Sequence, residues 1–291
     1  TLCRLGGVIC SSFEELKKNN RFRTAMANGK KNKDATIACI LVSSQPAHVF
    51  THYEEIKKQY PKLLLLDDCT RHFVLNKLLT HLLFANDQEI EKYRPACTIV
   101  PYQYMPTLAQ EIITNLGTQR FVIKPMNAYK GRGLVFVDSS GLDDALKTIL
   151  DGTATDYWNS YTNAFFLVES LEQSQFVTID RQLYDATMRI AFGIAHHKGK
   201  VRIDFFGAYW KLPDAPMYEK GASLTAKYKS HINPKRAHTS TVVNPRTYDE
   251  VKATLLKFLP HVYLKMIALR HDPEFLPTMR QLTKYGEPKM A

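Results

Sequence analysis

Apolar residues near the N-terminus form short runs that flank an amphipathic stretch. A β-branched run covers 36–42, four consecutive leucines cover 63–66, and the pattern between them, at 50–60, has helical spacing. A strand–helix–strand order predicts a parallel sheet, because a crossover helix brings the second strand alongside the first. Residues 1–68 are therefore predicted to form a small parallel α/β domain. Two further elements are expected in it, a helix at 13–20 and a loop at 28–30.

Residues 69–170 begin with helical patterns and continue into strands. An amphipathic helix is predicted at 70–86. Thr107 and Gly117 are typical of the start and the end of a helix, and they bracket a second one at 108–116. Strands are predicted at 120–125, 134–137 and 165–169, with a short helix at 143–150.

Residues 171–291 contain further apolar runs and then helical patterns. The runs at 176–179, 186–195 and 201–209 have the alternation of antiparallel strands. Helices are predicted at 248–259 and 261–270. They are separated by Pro260, because proline cannot donate the hydrogen bond that a continuous helix requires. The whole pattern predicts a mixed α/β (α+β) fold of three parts, 1–68, 69–170 and 171–291.

Charge and composition narrow the possible partners. The 291 residues are 45% hydrophobic, and Lys plus Arg exceed Asp plus Glu by 39 − 28 = 11. Such an excess favours anionic partners, namely nucleotide phosphates, an acidic substrate or nucleic acid. The basic residues are dispersed and do not interleave with aromatic ones, so nucleic acid is not the expected partner. No run approaches the roughly 20 apolar residues of a membrane span. Five scattered cysteines without metal-like spacing predict reduced thiols in a cytoplasmic protein.

A lysine near a strand end precedes a glycine loop at 127–133. Lys124 would project a positive charge from a rigid strand, and the loop glycines would let backbone N–H groups approach an anion. Four loop residues complete this candidate phosphate clamp: Lys130, Gly131, Arg132 and Gly133. The same pattern also fits a basic β-hairpin turn that binds no ligand.

Linked motifs between about 63 and 209 resemble the ATP-grasp superfamily, which includes glutathione synthetase, D-alanine–D-alanine ligase and the tubulin-tyrosine-ligase-like enzymes. The segment 76–80 resembles its lysine-then-threonine helix, and 121–125 resembles its strand ending in Lys-Pro. The loop at 127–133 is similar to its phosphate-covering loop, and 166–171 to the strand whose backbone binds adenine. The resemblance implies an ATP-grasp fold that follows the small N-terminal domain.

The resemblance also implies roles for individual residues. Lys124 would contact the α and β phosphates of ATP, with Lys77 assisting from the other side. Glu169 would accept a hydrogen bond from adenine or hold the hinge, and Ser170 and Leu171 would offer backbone contacts. A solvated strand end is the alternative interpretation of Glu169.

The segment 184–189 resembles the superfamily's aspartate-then-arginine segment, with extra residues between the two. Asp185 and Arg189 would share one face of a strand, because positions four apart do so. Arg189 would then stabilise charge on a transferred phosphoryl group. Lys211 lies where the superfamily usually has an arginine of the same site. An ordinary ion pair between Asp185 and Arg189 is the alternative.

The resemblance implies ATP and Mg²⁺ as cofactors and a ligase as the function. Such an enzyme joins a carboxylate to an amine through an acyl-phosphate, and the positive charge fits an acidic or amino-acid/peptide substrate. The superfamily's late Glu-X-Asn metal ligands are absent from the sequence, so the metal ligands stay unassigned, with Asp204 as one replacement candidate. A non-catalytic ATP-binding module is therefore the alternative function.

Overall fold

The computed structural model divides the chain into two compact units, Thr1–Arg71 and His72–Ala291. The described residues are 13–31, 39–41, 58, 63–65, 73, 76–85, 87–126, 128, 131–153, 157–161, 163–197, 199–230 and 239–274. Helices and strands are both present, so the predicted mixed class is confirmed. The three-part division of the chain stays a prediction.

The described part of the first unit contains helices and a pair of parallel strands. These are α1 (Phe13–Lys18), α2 (Asn20–Lys31), β1 (Cys39–Leu41) and β2 (Leu63–Leu65). Cys39 lies opposite Leu63 in a parallel register, which confirms the predicted parallel pairing. The predicted helix at 50–60 lies outside the described residues except for Lys58.

The expected loop at 28–30 is wrong, because α2 continues through it to Lys31. The Asn19 side chain accepts hydrogen bonds from two following N–H groups, at 3.0 and 3.4 Å, so the chain starts a new helix directly after α1. Phe22 and Met26 are buried four residues apart, on one face of that helix. Their burial offsets the cost of about 1 kcal/mol for a glycine inside a helix.

The second unit combines helices with antiparallel sheets. In chain order its elements are α3 (Lys77–Phe84), α4 (Gln88–Glu91), β3 (Cys97–Pro101), α5 (Leu108–Leu116), β4 (Arg120–Pro125), β5 (Val135–Asp138), α6 (Leu142–Leu150), a 3-10 turn (Trp158–Ser160), β6 (Phe165–Ser170), β7 (Phe176–Ile179), β8 (Gln182–Asp185), β9 (Thr187–His197), β10 (Lys200–Lys211), α7 (Leu224–Tyr228), β11 (Ser240–Val242) and α8 (Pro245–His271). Strands β3, β6, β4 and β5 form a four-stranded sheet in that order.

The two faces of the four-stranded sheet have different characters. Phe121, Ile123, Phe166 and Val168 are buried against α5 and α6 on one face. Side chains alternate along each strand, and Lys124 pairs with Leu167 while Val122 pairs with Glu169. Lys124 and Glu169 therefore lie together on the face opposite α5 and α6.

Helix α5 has the predicted bounds but not the predicted cap. It ends at Gly117, whose φ of 59° is left-handed and whose N–H donates to Ile113. Thr107 makes no side-chain cap hydrogen bond to the backbone. Its hydroxyl instead donates to Oε1 of Glu111 at 2.6 Å, so the first turn is closed by a side-chain pair.

A helical layer packs α3 and α4 against α8. Its buried side chains are Phe73, Leu79, Leu83, Ile90 and Val262. Helix α8 runs through Pro260 without interruption, so the predicted break is wrong. Proline inside a helix costs about 3 kcal/mol. The burial of Val262, two residues after the proline, offsets that cost. None of the helices in the described residues is long and apolar enough to cross a bilayer.

The remaining strands form a hairpin and a three-stranded sheet. Strand β7 pairs with β8, a strand that the sequence did not predict. Strands β9 and β11 pair with the two edges of β10. The extended β9 and β10 confirm the predicted antiparallel strands. Their shared core consists of Tyr184, Ala186, Trp210 and Leu212.

Candidate functional site

Lys124 and Glu169 form an ion pair that Arg94 completes. Lys124 Nζ donates to Oε2 of Glu169, and Arg94 Nη2 lies 3.4 Å from Oε1. The Glu169 side chain is only 9% exposed. A carboxylate at this depth is stable as an anion only when it is paired. The two cations therefore pair with both carboxylate oxygens and fix the position of Glu169 on the sheet.

Lys77 reaches the same face from the first turn of α3. The Asn76 side chain caps this helix, which starts at Lys77 in the described residues rather than at the predicted position 70. The Lys77 N–H donates to the carbonyl of Met126 at 3.0 Å, and its Nζ donates to the carbonyl of Ala128 at 2.6 Å. Helix α3 is thereby tied to the segment that leaves β4.

The Lys77 ammonium is partly withdrawn from water and faces a second ammonium. Burial and then the charge of Lys124 lower the pKa of Lys77 from 10.5 to about 8, against the raising effect of Glu169. Near neutral pH Lys77 is still mostly protonated. Lys77, Arg94, Lys124 and Glu169, called the basic cluster below, thus bring three cations around one carboxylate. An added anion would relieve the repulsion between the lysines.

The glycine loop follows β4 and approaches an aromatic group. Gly131 and Gly133 have φ of 72° and 67°, where only glycine is unstrained. A Cβ at Gly133 would lie 2.6 Å from Cγ of Pro125 and 2.9 Å from Cδ1 of Tyr157. The Gly133 carbonyl accepts from Nε1 of Trp158 at 3.0 Å. Packing alone therefore requires this glycine, and its predicted phosphate contact stays a prediction.

The middle of the loop meets a lysine from outside the predicted motifs. A Cβ at Gly131 would lie 3.0 Å from Cε of Lys229 and 3.9 Å from its Nζ. The Lys229 side chain therefore passes directly over this glycine. Arg132 is exposed beside it. Lys130, with positions 127 and 129, lies outside the described residues.

The segment after β6 uses its N–H groups within the protein. Ser170 N–H donates to the carbonyl of Ala96 at 2.8 Å, and Leu171 N–H donates to that of Arg120 at 2.9 Å. The Ser170 hydroxyl donates to Oε1 of Glu172 at 2.6 Å. A backbone contact from these residues to a ligand would therefore have to come from a carbonyl oxygen.

Asp185 is buried and its carboxylate has a structural partner. It accepts from the N–H of Ser174, at 3.3 Å on Oδ1 and 3.2 Å on Oδ2. Burial raises the pKa of Asp185, while the Ser174 N–H and the charge of Arg120 act to lower it. The expected sharing of one strand face with Arg189 is wrong, because β8 ends at Asp185 and Arg189 lies on β9 in another sheet. Buried Ala186 separates the two strands.

Arg189 and Lys211 do come together, on the three-stranded sheet. Arg189 pairs with Tyr209 on β10, so Lys211 is its diagonal neighbour on the same face. Burial and then the charge of Arg189 lower the pKa of Lys211. Trp210 points to the opposite face, where it is buried. The two cations are thus fixed side by side by strand register.

The described residues do not form a magnesium site. Among them, no three His, Cys, Asp or Glu side chains are grouped to hold a metal ion. Asp204 accepts from Nη2 of Arg202 at 2.9 Å, on an exposed part of β10. The carboxylates of the described residues therefore do not fit the superfamily's metal ligand set, and the metal ligands remain unassigned.

The sequence patterns did not reveal several residues around the site. Arg94 lies in a turn between α4 and β3 and meets Glu169 only through the pairing of β3 with β6. His81 and Cys97 form a side-chain contact at 3.0 Å beside it. Lys229 follows α7, far along the chain from Gly131. The spacing of Lys77 and His81, one turn apart, was the only local signal for any of them.

Comparisons with known proteins give the following similarities. No protein-family model matches the chain, and no curated protein matches its sequence. The chain is similar to D-alanyl-alanine synthetase A from Vibrio cholerae O1 biovar eltor, at 10% identity over 82% of this chain and 73% of that chain, with a TM-score of 0.41. It is similar to the D-cycloserine synthetase DcsG at 12% identity over 86% and 78%, with a TM-score of 0.41.

A third similarity is to the ADP complex of purK, an N5-carboxyaminoimidazole ribonucleotide synthetase. It has 14% identity over 72% of this chain and 45% of that chain, with a TM-score of 0.38. The function proposed below rests on the geometry of the basic cluster rather than on these overlaps.

Proposed function

We propose that the second unit binds ATP and that the protein is an ATP-dependent ligase, which joins a carboxylate to an amine through an acyl-phosphate. The observation that supports this most is the basic cluster. Lys77, Arg94 and Lys124 surround the buried carboxylate of Glu169 beside a glycine loop. Such an excess of cations on rigid elements is what a polyphosphate needs.

The phosphates of ATP would bind at the two lysines. Lys124 extends from a strand and Lys77 from a capped helix, so neither ammonium has to be ordered on binding. Glu169 accepts from Lys124 and would orient it toward the nucleotide. This contact supports a role for Glu169 in holding the hinge rather than in direct recognition of adenine. Adenine would then depend on carbonyl oxygens of the segment at Ser170 and Leu171.

The chemistry would consist of two transfers. A substrate carboxylate oxygen would attack the γ-phosphorus, and the bond from that phosphorus to ADP would break. The amine nitrogen would then attack the acyl carbon, and phosphate would leave. Arg189 and Lys211 would stabilise the charge of the transferred group. The glycine loop would exclude water, which otherwise hydrolyses an acyl-phosphate.

The substrate class follows from charge. The chain carries a net charge of +11, and the Arg189–Lys211 pair presents two cations on one sheet face. An acidic amino acid or an acidic peptide complements both features. Mg²⁺ belongs to this proposal as a cofactor that accompanies the nucleotide, and no ligand for it is assigned among the described carboxylates.

The decisive test is nucleotide-dependent stabilisation. Saturating ATP with Mg²⁺ at about 100 times its Kd should stabilise the protein by about 3 kcal/mol, measured as a rise in Tm. Lys124→Ala should remove most of this rise, because a charged hydrogen bond contributes about 1.5–3 kcal/mol, or roughly tenfold or more in affinity.

A matched control comes from the opposite face of the same sheet. Lys147 on α6 is exposed and pairs with Asp143, so Lys147→Ala removes the same charge away from the basic cluster. The ATP-dependent rise in Tm should be unchanged in that variant. Equal rises in wild type and Lys124→Ala would reject the nucleotide site.

A second candidate is an ATP-binding module without ligase activity. The position of Asp185 favours this module. The Asp185 carboxylate is buried against Ser174 and is separated from Arg189. Both candidates predict ATP binding. They differ in ADP release, which a ligase shows only after an acidic amino acid or peptide and an amine are added. Binding without such release across a panel of these substrates would favour the module.

A further inference from the structure

A thiol and an imidazole face each other beside the basic cluster. Nδ1 of His81 lies 3.0 Å from Sγ of Cys97, a hydrogen-bonding distance for sulfur. In the tautomer with its proton on Nε2, the imidazole accepts the thiol hydrogen. Both side chains are half-buried, so the sulfur is held in place without being sealed from solvent. This arrangement pairs a nucleophile with a base.

Strand register connects this pair to the ion pair of the site. Cys97 begins β3 and lies directly opposite Glu169 on β6. His81 follows Lys77 by one turn of α3, so one helix face supplies His81 to the thiol and Lys77 to the basic cluster. Any group added to the sulfur would therefore stand next to the Glu169 carboxylate and the first turn of α3.

Burial, more than the surrounding charges, keeps both partners neutral. Burial lowers the pKa of His81 most, with Arg94 acting in the same direction and Glu169 and Glu91 opposing it. Burial also raises the pKa of the Cys97 thiol, supported by Glu169 and Glu91 and opposed by Arg94 and Lys124. Near neutral pH the state is thus a thiol hydrogen-bonded to a free base.

We propose that Cys97 is a reactive thiol, activated by His81, which undergoes exchange with anionic low-molecular-mass disulfides and thereby blocks the neighbouring nucleotide site. The anionic preference follows from the basic cluster next to Cys97, in which three cations, Lys77, Arg94 and Lys124, outnumber the Glu169 carboxylate. Its effect on nucleotide binding rests on the function proposed above; its reactivity does not.

The exchange step conserves atoms and electrons. The Cys97 thiol gives its proton to Nδ1 of His81, and the resulting thiolate attacks one sulfur of the disulfide. A new sulfur–sulfur bond forms as the old one breaks, and the leaving thiolate takes the proton from the imidazolium. Protein thiol and disulfide are converted to a mixed disulfide and one free small thiol, so reducing agents reverse the modification.

The experiment follows Cys97 by itself, since the chain has five cysteines. The full chain is incubated with glutathione disulfide, and the Cys97-containing peptide is quantified over time by mass spectrometry. His81→Asn keeps a hydrogen-bonding side chain but removes the base, and should slow the reaction by about 100-fold, the lower end of general-base effects. Added imidazole should restore part of the rate.

Controls separate base catalysis from folding and charge. His261→Asn removes a histidine that pairs with Asp87 instead and should leave the Cys97 rate unchanged. Cystamine, a cationic disulfide, should react more slowly than glutathione disulfide. If His81→Asn unfolds, judged by its Tm, His81→Gln takes its place. Equal rates for wild type and the His81 variant, or no rescue by imidazole, would overturn the activation by His81.

The link to the nucleotide site is tested with the same samples. ATP at about 100 times its Kd should slow the Cys97 reaction by about 100-fold, and the glutathionylated protein should lose its ATP-dependent rise in Tm until it is reduced. A modified protein that still binds ATP would overturn the block while the proposed function stands. Untreated protein that never binds ATP would refute the proposed function, and the Cys97 kinetics would still decide the thiol's reactivity.

Discussion

Lys124 and Glu169 are diagonal neighbours on two antiparallel strands. Lys124 lies opposite Leu167, and Glu169 is two residues further along β6, on the same face. The long lysine side chain spans this offset to reach the carboxylate. Strand register thus determines the position of the ion pair. The proposed nucleotide site is therefore positioned by the four-stranded sheet.

Coupling between Lys124 and Glu169 should be measurable as stability. Lys124→Ala leaves the buried carboxylate with Arg94 at 3.4 Å as its described partner, and should lower the free energy of unfolding by about 1–3 kcal/mol. Adding Glu169→Gln should cost less than it does in wild type, because the carboxylate that it removes has already lost its contact with Lys124. Urea unfolding of the four proteins gives the coupling energy.

The exposed pair of Lys147 and Asp143 provides the comparison for that cycle. Both side chains are at least 40% exposed, so their coupling should be smaller than that of the buried pair. Additive effects of the Lys124 and Glu169 substitutions would contradict the ion pair. The double variant also isolates binding from stability, since it should fold well and still lack the ATP-dependent rise in Tm.

The depressed pKa of Lys77 predicts a rise in stability with pH. Between pH 8 and pH 10.5 the unfolded chain holds the Lys77 proton while the folded protein has released it. Stability must therefore increase across this window, by up to about 3 kcal/mol. The gain is fully present above pH 10.5 and is lost as the pH falls through 8. Denaturant unfolding of wild type and Lys77→Met across this window measures it as a growing difference.

Lys147→Met is the control for this pH dependence. Its partner Asp143 raises the pKa of Lys147, so its stabilising effect is lost only as the pH rises above the ordinary lysine value. The difference between wild type and Lys147→Met should therefore show no gain between pH 8 and pH 10.5. A parallel gain in both comparisons would assign the effect to some other group.

Gly133 and Gly117 should respond differently to a methyl group. Both have left-handed φ, 67° and 59°, which costs about 1 kcal/mol for alanine. A Cβ at Gly117 meets nothing within 4 Å, whereas at Gly133 it lies 2.6 Å from Pro125. Gly133→Ala should therefore destabilise the protein by about 1–3 kcal/mol more than Gly117→Ala. Equal losses in thermal unfolding would show that the loop relaxes freely.

Sequence patterns predicted those strands and helix ends that depend on interactions between residues near each other in the chain. Strands β4 and β6 contain apolar runs of aromatic and aliphatic residues, and the left-handed Gly117 ends α5 as glycine chemistry predicts. These features need only a residue and its near neighbours.

The partners across the site could not be predicted, because they depend on tertiary pairing. Arg94 lies in a turn without periodicity, and only the pairing of β3 with β6 brings it to Glu169. The break expected at Pro260 fails for the same reason, since packing of α8 against α3 and α4 overrides a local cost. Asp185 and Arg189 show the opposite error, in which regular spacing was extended across the buried Ala186.

Arg189 separates the two functional candidates. It is exposed on β9 beside Lys211 and outside the basic cluster, so Arg189→Ala should leave the ATP-dependent rise in Tm intact. In a ligase the same variant should lower substrate-dependent ADP release by about 100-fold, because a cation aimed at the transferred group is lost. Arg202 lies on the neighbouring strand β10, is 78% exposed and pairs with Asp204 of the same strand. Arg202→Ala should therefore leave both measurements unchanged. Undiminished ADP release in Arg189→Ala would show that this arginine does not act in the transfer step. The pKa of Lys211 should rise in the same variant, because the neighbouring positive charge is lost.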